Sequence, residues 1–191
     1  MKPLSVDGTV NTEYVLAPPW LLPEASRPEL MQVAISSLLA DLVDGRDKRE
    51  AVRSHSQVGF MLICLGRKDE ALQTLHDCAR SQESILDFRG LVATQLRQVQ
   101  AHQASNDAAA AVEIGRAALS RSIADPALSD LQHFAYHHLG KAELQAGLYS
   151  EARQHLLNAL AFRQQMSDHE LVSSTQAALA LLRRLTTNTD A

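Results

Sequence analysis

Along the chain, stretches in which apolar residues recur every three or four positions alternate with short polar breaks, the pattern of amphipathic helices rather than strands. Near the amino end Leu30, Val33, Ala34, Leu38 and Leu42 form one such stripe. Near the carboxyl end Leu171, Val172, Ala178, Leu179, Leu182 and Leu185 form another and leave Arg183 and Arg184 for solvent. Helix starts are marked by cap residues. Ser26 with Glu29 and Asp47 with Glu50 have the spacing of a capping box, Asp87 and Asp168 precede apolar-periodic stretches, and Asp125 stands before Pro126. Further starts are expected near Asp69, Asp107 and Ser150, with acids in the first turn. These signals predict helices over 28–43, 48–65, 69–83, 88–104, 107–122, 127–146, 151–166 and 169–185.

The breaks are themselves periodic. Gly66, Asn106 and Gly147 fall at intervals of 40 and 41 residues. Ala71, Ala111 and Ala152 follow each break by five residues, and Gly59, Val99 and Gly140 precede it by seven. Three landmarks in step through three copies predict a repeated helix–turn–helix unit, with the first and last helices as caps that are apolar inside and polar outside.

The repeat resembles the tetratricopeptide (TPR) family, in its long-helix form. His55-x2-Val58-Gly59-x2-Leu62 followed by Ala71-x3-Leu75 matches the pattern in the first copy. Tyr136-x2-Leu139-Gly140-x2-Glu143 followed by Ala152-x3-Leu156 matches it in the third. The second copy departs most, with Val99 for the glycine and Gly115 for the leucine, and no proline ends any copy. The small residues let helices approach while Leu75 and Leu156 fill the space between them. The resemblance implies an all-α, right-handed superhelix of three repeats over 27–186. A proline-rich irregular segment would precede it over 1–26, and a disordered tail would follow over 187–191.

Composition narrows the function classes. Hydrophobic residues make up 46% and charged residues 21%, a globular balance, and 18 basic against 22 acidic residues give a charge of −4. A weakly acidic chain does not suit nucleic acid, and no apolar run is long enough for a signal peptide or a membrane span. Two cysteines, Cys64 and Cys78, outside any C-x-x-C spacing read as reduced packing residues, so a cytoplasmic protein is expected.

No phosphate loop, dinucleotide fingerprint or nucleophile motif is present. His133 and His137 lie four apart on one helix face, a spacing that can hold a metal, but no third ligand accompanies them. The expectation is therefore no cofactor and no metal, and a binding protein rather than an enzyme. The resemblance implies a concave groove lined by the first helix of each copy. Periodicity selects Arg53, Ser56, Phe60 and Ile63 from the first, Leu96, Gln100 and Gln103 from the second, and Phe134, His137, Lys141, Leu144 and Gln145 from the third. That mixture suits a protein or peptide partner with apolar anchors and some negative charge. Self-association as a homodimer is the alternative. A metal-dependent enzyme or sensor at His133 and His137 is a further one. The apolar segment Tyr14–Pro23, with Trp20, is expected to dock against the first helix, in the groove or on a second chain.

Overall fold

The computed structural model describes residues 13–41 and 47–187. It opens with a small antiparallel hairpin, β1 (Tyr14–Ala17) and β2 (Leu22–Ala25), in which Tyr14 faces Ala25 and Ala17 faces Leu22. Eight α-helices follow among the described residues. They are α1 (Pro28–Asp41), α2 (Lys48–Cys64), α3 (Lys68–Ser84), α4 (Phe88–Ala104), α5 (Ala108–Ala124), α6 (Gln132–Gln145), α7 (Tyr149–Gln165) and α8 (His169–Thr187). A 3-10 segment, Pro126–Leu131, leads into α6. The all-α class and the repeated arrangement expected from the sequence are what the chain adopts.

The repeat is finer than the 40-residue period suggests. Beyond the hairpin, whose Leu21 has φ 54°, residues with left-handed backbone stand at Gly66, Leu86, Asn106, Gly147 and Ser167, with φ of 71, 53, 60, 76 and 55°. Each closes a helix, and successive turns are 20 residues apart except where the 3-10 segment intervenes. Helices α2, α3, α4, α5 and α7 are accordingly all 17 residues long. Glycine adopts this conformation without the Cβ clash that Leu86 and Ser167 must accommodate. Asp87, Asp107 and Asp168 cap the following helices through the backbone N–H of Gly90, Ala110 and Leu171, each at 3.1 Å.

Some boundaries differ from expectation. Helices α3 and α7 begin before Asp69 and Ser150, at Lys68 and Tyr149, and Asp47 makes no side-chain cap bond. The helix expected over 127–146 begins as the 3-10 segment, since Asp125 bonds to Ala127 two residues on and Pro126 lacks an N–H to donate. Met31 and Ile35 occupy the core face of α1, whereas Val33 is exposed; Leu42 lies outside the described residues. The segment expected to be irregular contains the hairpin. Of the expected tail, Thr187 ends α8 and the remainder lies outside the described residues.

The chain divides into two compact units, one through Ser105 and one from Asn106. In the first, Met31, Ala34, Ile35 and Leu38 of α1 pack with Val58, Met61 and Leu62 of α2 and with Ala71 and Leu75 of α3. Burying each leucine contributes roughly 1.5–3 kcal/mol. In the second, Leu139, Ala142 and Leu144 of α6, Ala152, Leu156 and Ala159 of α7, and Ala178 and Leu182 of α8 are fully or almost fully buried. The glycine–leucine pairing read from the sequence is present in both. A Cβ at Gly59 would stand 2.6 Å from Leu75 Cδ2, and one at Gly140 would stand 2.8 Å from Leu156 Cγ. Among the described residues no helix is long and apolar enough to cross a membrane.

Candidate interaction surface

In the first unit the row chosen on α2 is only partly open. Arg53 is 46% exposed and its guanidinium forks onto the Asp87 carboxylate at 2.8 and 2.6 Å. Burial pushes the Asp87 carboxyl up. The Arg53 bonds and the Gly90 N–H outweigh that and hold it below the usual carboxylate range. Ser56 is fully buried, 2.6 Å from Thr94 Oγ1 of α4, and accepts from Arg97 at 2.8 Å. Burial pushes the Arg97 guanidinium down to about 10. Phe60 is half-buried and meets the edge of the Tyr14 ring, with centroids 5.4 Å apart. The hairpin therefore docks on α2, and β2 also reaches α4. Ile63, Leu96, Gln100 and Gln103 are buried.

In the second unit the row runs along α6. Phe134 and Gln145 are half-buried, whereas His137, Lys141 and Leu144 are buried. One face of α6 carries His133, His137 and Lys141 at successive turns, and α7 and α8 cover it. Arg163 of α7 is 1% exposed. Its Nε–H donates to His133 Nδ1 at 3.3 Å, and its Nη1 donates to Thr175 Oγ1 at 2.7 Å and to the Leu171 carbonyl at 3.0 Å. The guanidinium also lies 5.6 Å from the centre of the Phe134 ring. Thr175 Oγ1 stands 3.3 Å from His137 Nδ1 and donates to the Leu171 carbonyl.

Burial, with the charge of Arg163 added, pushes His133 down to about 4 and Lys141 down to about 7. Burial, with the charges of Arg163 and Lys141 added, pushes His137 and His138 well below the ordinary histidine value. Arg163 falls to about 10 through burial, against which Asp168 acts. On the opposite side of α6, Glu143 is fully buried, 2.6 Å from His155 Nδ1 and 3.7 Å from Arg116 Nη2.

Eight of the twelve residues selected from the sequence are thus buried: Ser56, Ile63, Leu96, Gln100, Gln103, His137, Lys141 and Leu144. Arg53, Phe60, Phe134 and Gln145 keep access to solvent. The selection missed Asp87, Thr94 and Arg97 in the first unit and Arg163 and Thr175 in the second. A signal for Arg163 was present, because Gln82, Ser122 and Arg163 keep the 40- and 41-residue repeat and all three are buried polar residues.

Chemically, the α6 face does not suit a metal cation. A guanidinium lies against His133, whose Nδ1 lone pair is already taken, and no three His, Cys, Asp or Glu side chains converge among the described residues. Burial pushes the thiols of Cys64 and Cys78 up to about 12 and about 11, so neither is a nucleophile at neutral pH.

The sequence matches no protein-family model and no curated protein. Among solved structures, it is similar to the nearly identical TPR-like repeats of a Podosopora anserina protein assigned as a kinesin light chain. A single-substitution variant of that protein superposes with a TM-score of 0.59 at 18% identity, over 84% of this chain and 77% of the other. A second structure of it gives a TM-score of 0.52 at 17% identity, over 85% and 86% of the two chains. The chain has the fold of TPR-like repeats.

Proposed function

We propose that this chain is a protein-interaction scaffold without catalytic activity. It holds an extended or helical segment of another protein against the first helices of its repeats, in the cytoplasm. The observation that carries the reading is the TPR-like fold combined with the side chains left open on those helices. On the first unit Phe60 offers an apolar contact beside the charge of Arg53, which suits a segment with an apolar anchor and some acidic residues; on the second unit Phe134 offers an apolar contact of its own. The contact of Tyr14 with Phe60 makes the hairpin a neighbour or a competitor of that segment on α2.

Site-specific photocrosslinking tests the proposal without disturbing the core. A benzoylphenylalanine at Phe134 or Gln145, on the first helix of a repeat, is expected to give a discrete adduct in lysate. The same probe at Leu157 or Arg153, exposed on α7, should give none. Adducts from α7 alone would overturn the assignment of the binding face.

A further inference from the structure

The α6–α7–α8 contact buries four basic side chains where helical repeats ordinarily bury apolar ones, and leaves a fifth, His138, half-buried. His133, His137 and Lys141 follow one another along α6, His138 lies beside them, and Arg163 enters from α7. Among the described residues, charged and polar groups come to this cluster and its surroundings from the 3-10 segment, α5, α7 and α8. The 3-10 segment brings Asp130, and the cap of α8 brings Asp168. From α8 comes the neutral hydroxyl of Thr175. Arg116 of α5 reaches Glu143, and so does His155 of α7, on the other side of α6.

The bonding requires an uncharged His133. Arg163 Nε can only donate, so His133 Nδ1 must offer a lone pair. A proton added there would set N–H against N–H and place a second cation beside a buried guanidinium. His137, against the same guanidinium through Thr175, meets the same repulsion. Because Arg163 is also what ties α8 down, through the Leu171 carbonyl and Thr175, a disturbance at His133 passes to α8.

We propose that this cluster is an acid-sensitive latch, in which protonation of the buried α6 side chains loosens α8 from α6 and α7 and opens the basic face of α6. The latch does not rest on the interaction reading above; it would control access to Lys141 and His137 whatever binds there. Its pH window follows from linkage. A base whose folded value lies below its unfolded one takes up more protons when unfolded, so stability rises with pH between the two values. For Lys141 that window runs from about 7 up to its ordinary 10.5, and for His133 from about 4 to its ordinary 6.5. Hold on α8 should therefore weaken continuously from alkaline to acidic pH.

Hydrogen exchange read by mass spectrometry on the full chain, corrected for the pH dependence of intrinsic exchange, tests this. Between pH 8 and pH 5, protection of α8 peptides should fall at least about tenfold, the change one proton-linked step gives per pH unit, while α3 peptides hold theirs. His133→Gln, which keeps a neutral acceptor, should flatten the acidic part of the dependence, and Lys141→Met should flatten the part between pH 9 and 7. If His133→Gln does not fold, Lys141→Met read alone suffices, because it removes a buried titratable amine and keeps the volume. Equal pH dependence of α8 and α3, or an unaltered α8 dependence in the folded variants, would overturn the latch.

Discussion

An 81-residue shift carries α2–α4 of the first unit onto α6–α8 of the second, and what changes under that shift is chemistry rather than architecture. Gly59, Ala71 and Leu75 become Gly140, Ala152 and Leu156, and the cap Asp87 becomes the cap Asp168. Even a buried polar contact is kept: Ser56 against Thr94 in the first unit is His137 against Thr175 in the second. The neighbours of that contact differ. Val52, Phe60 and Gln82 stand where the second unit has His133, Lys141 and Arg163. The first unit bonds its exposed Arg53 to a carboxylate and covers Phe60 with Tyr14. The second unit buries Arg163, which bonds to neutral partners. A repeat fixes where side chains meet; what meets there is free to diverge.

The comparison can be broken most sharply at position 163. Arg163→Ala should cost the second unit on the order of 3 kcal/mol, because it opens a cavity and strips donors from buried acceptors. A loss in urea unfolding smaller than about 1 kcal/mol would mean that the guanidinium does not hold α8. Next come the shared glycines. Gly59→Ala and Gly140→Ala should each cost about 1–3 kcal/mol by overpacking against Leu75 and Leu156, and they should do so equally if the units share their architecture. A melting shift in only one of the two would show that the pairing is not equivalent.

Arg53→Ala should cost only about 1 kcal/mol, since Arg53 is well exposed and its charge is screened. Its effect should also vanish on acidification. The Asp87 carboxyl is held below its ordinary value, so its contribution is present above that value and is lost as pH falls through the folded one. Persistence of the full Arg53 effect once the Asp87 carboxyl is protonated in the folded chain would contradict the pairing. The smallest effect is expected at the turn between α3 and α4. Leu86→Gly should stabilise by about 0.5–1 kcal/mol by removing a left-handed leucine, partly offset by the freedom glycine gains in the unfolded chain.

Much of the fold was legible because its signals are local. Gly66 and Gly147 announce left-handed turns, aspartates announce starts, and Gly59 with Leu75 announces a close helix pair. The 20-residue half-period was hidden because Leu86 and Ser167 do at two turns what glycine does at others, without looking like turn residues. The hairpin was hidden because its strands are four residues long and divided by prolines. The site was harder to read. Periodicity grouped Phe134, His137 and Lys141 on one face of α6, but whether that face meets solvent or another helix depends on α7 and α8, so His137 and Lys141 were read as open and lie buried. Arg163, a charged residue in a helix, reads as solvated until its repeat partners Gln82 and Ser122 are set beside it.

The difference between the units is tested most directly by NMR titration of the histidine side chains. His133 should remain neutral at pH 5.5, with Nδ1 free of hydrogen and the ring proton on Nε2, and should begin to charge only near pH 4. A His133 that is already charged at pH 6, or that carries its neutral proton on Nδ1, would contradict a second unit built around buried, uncharged bases.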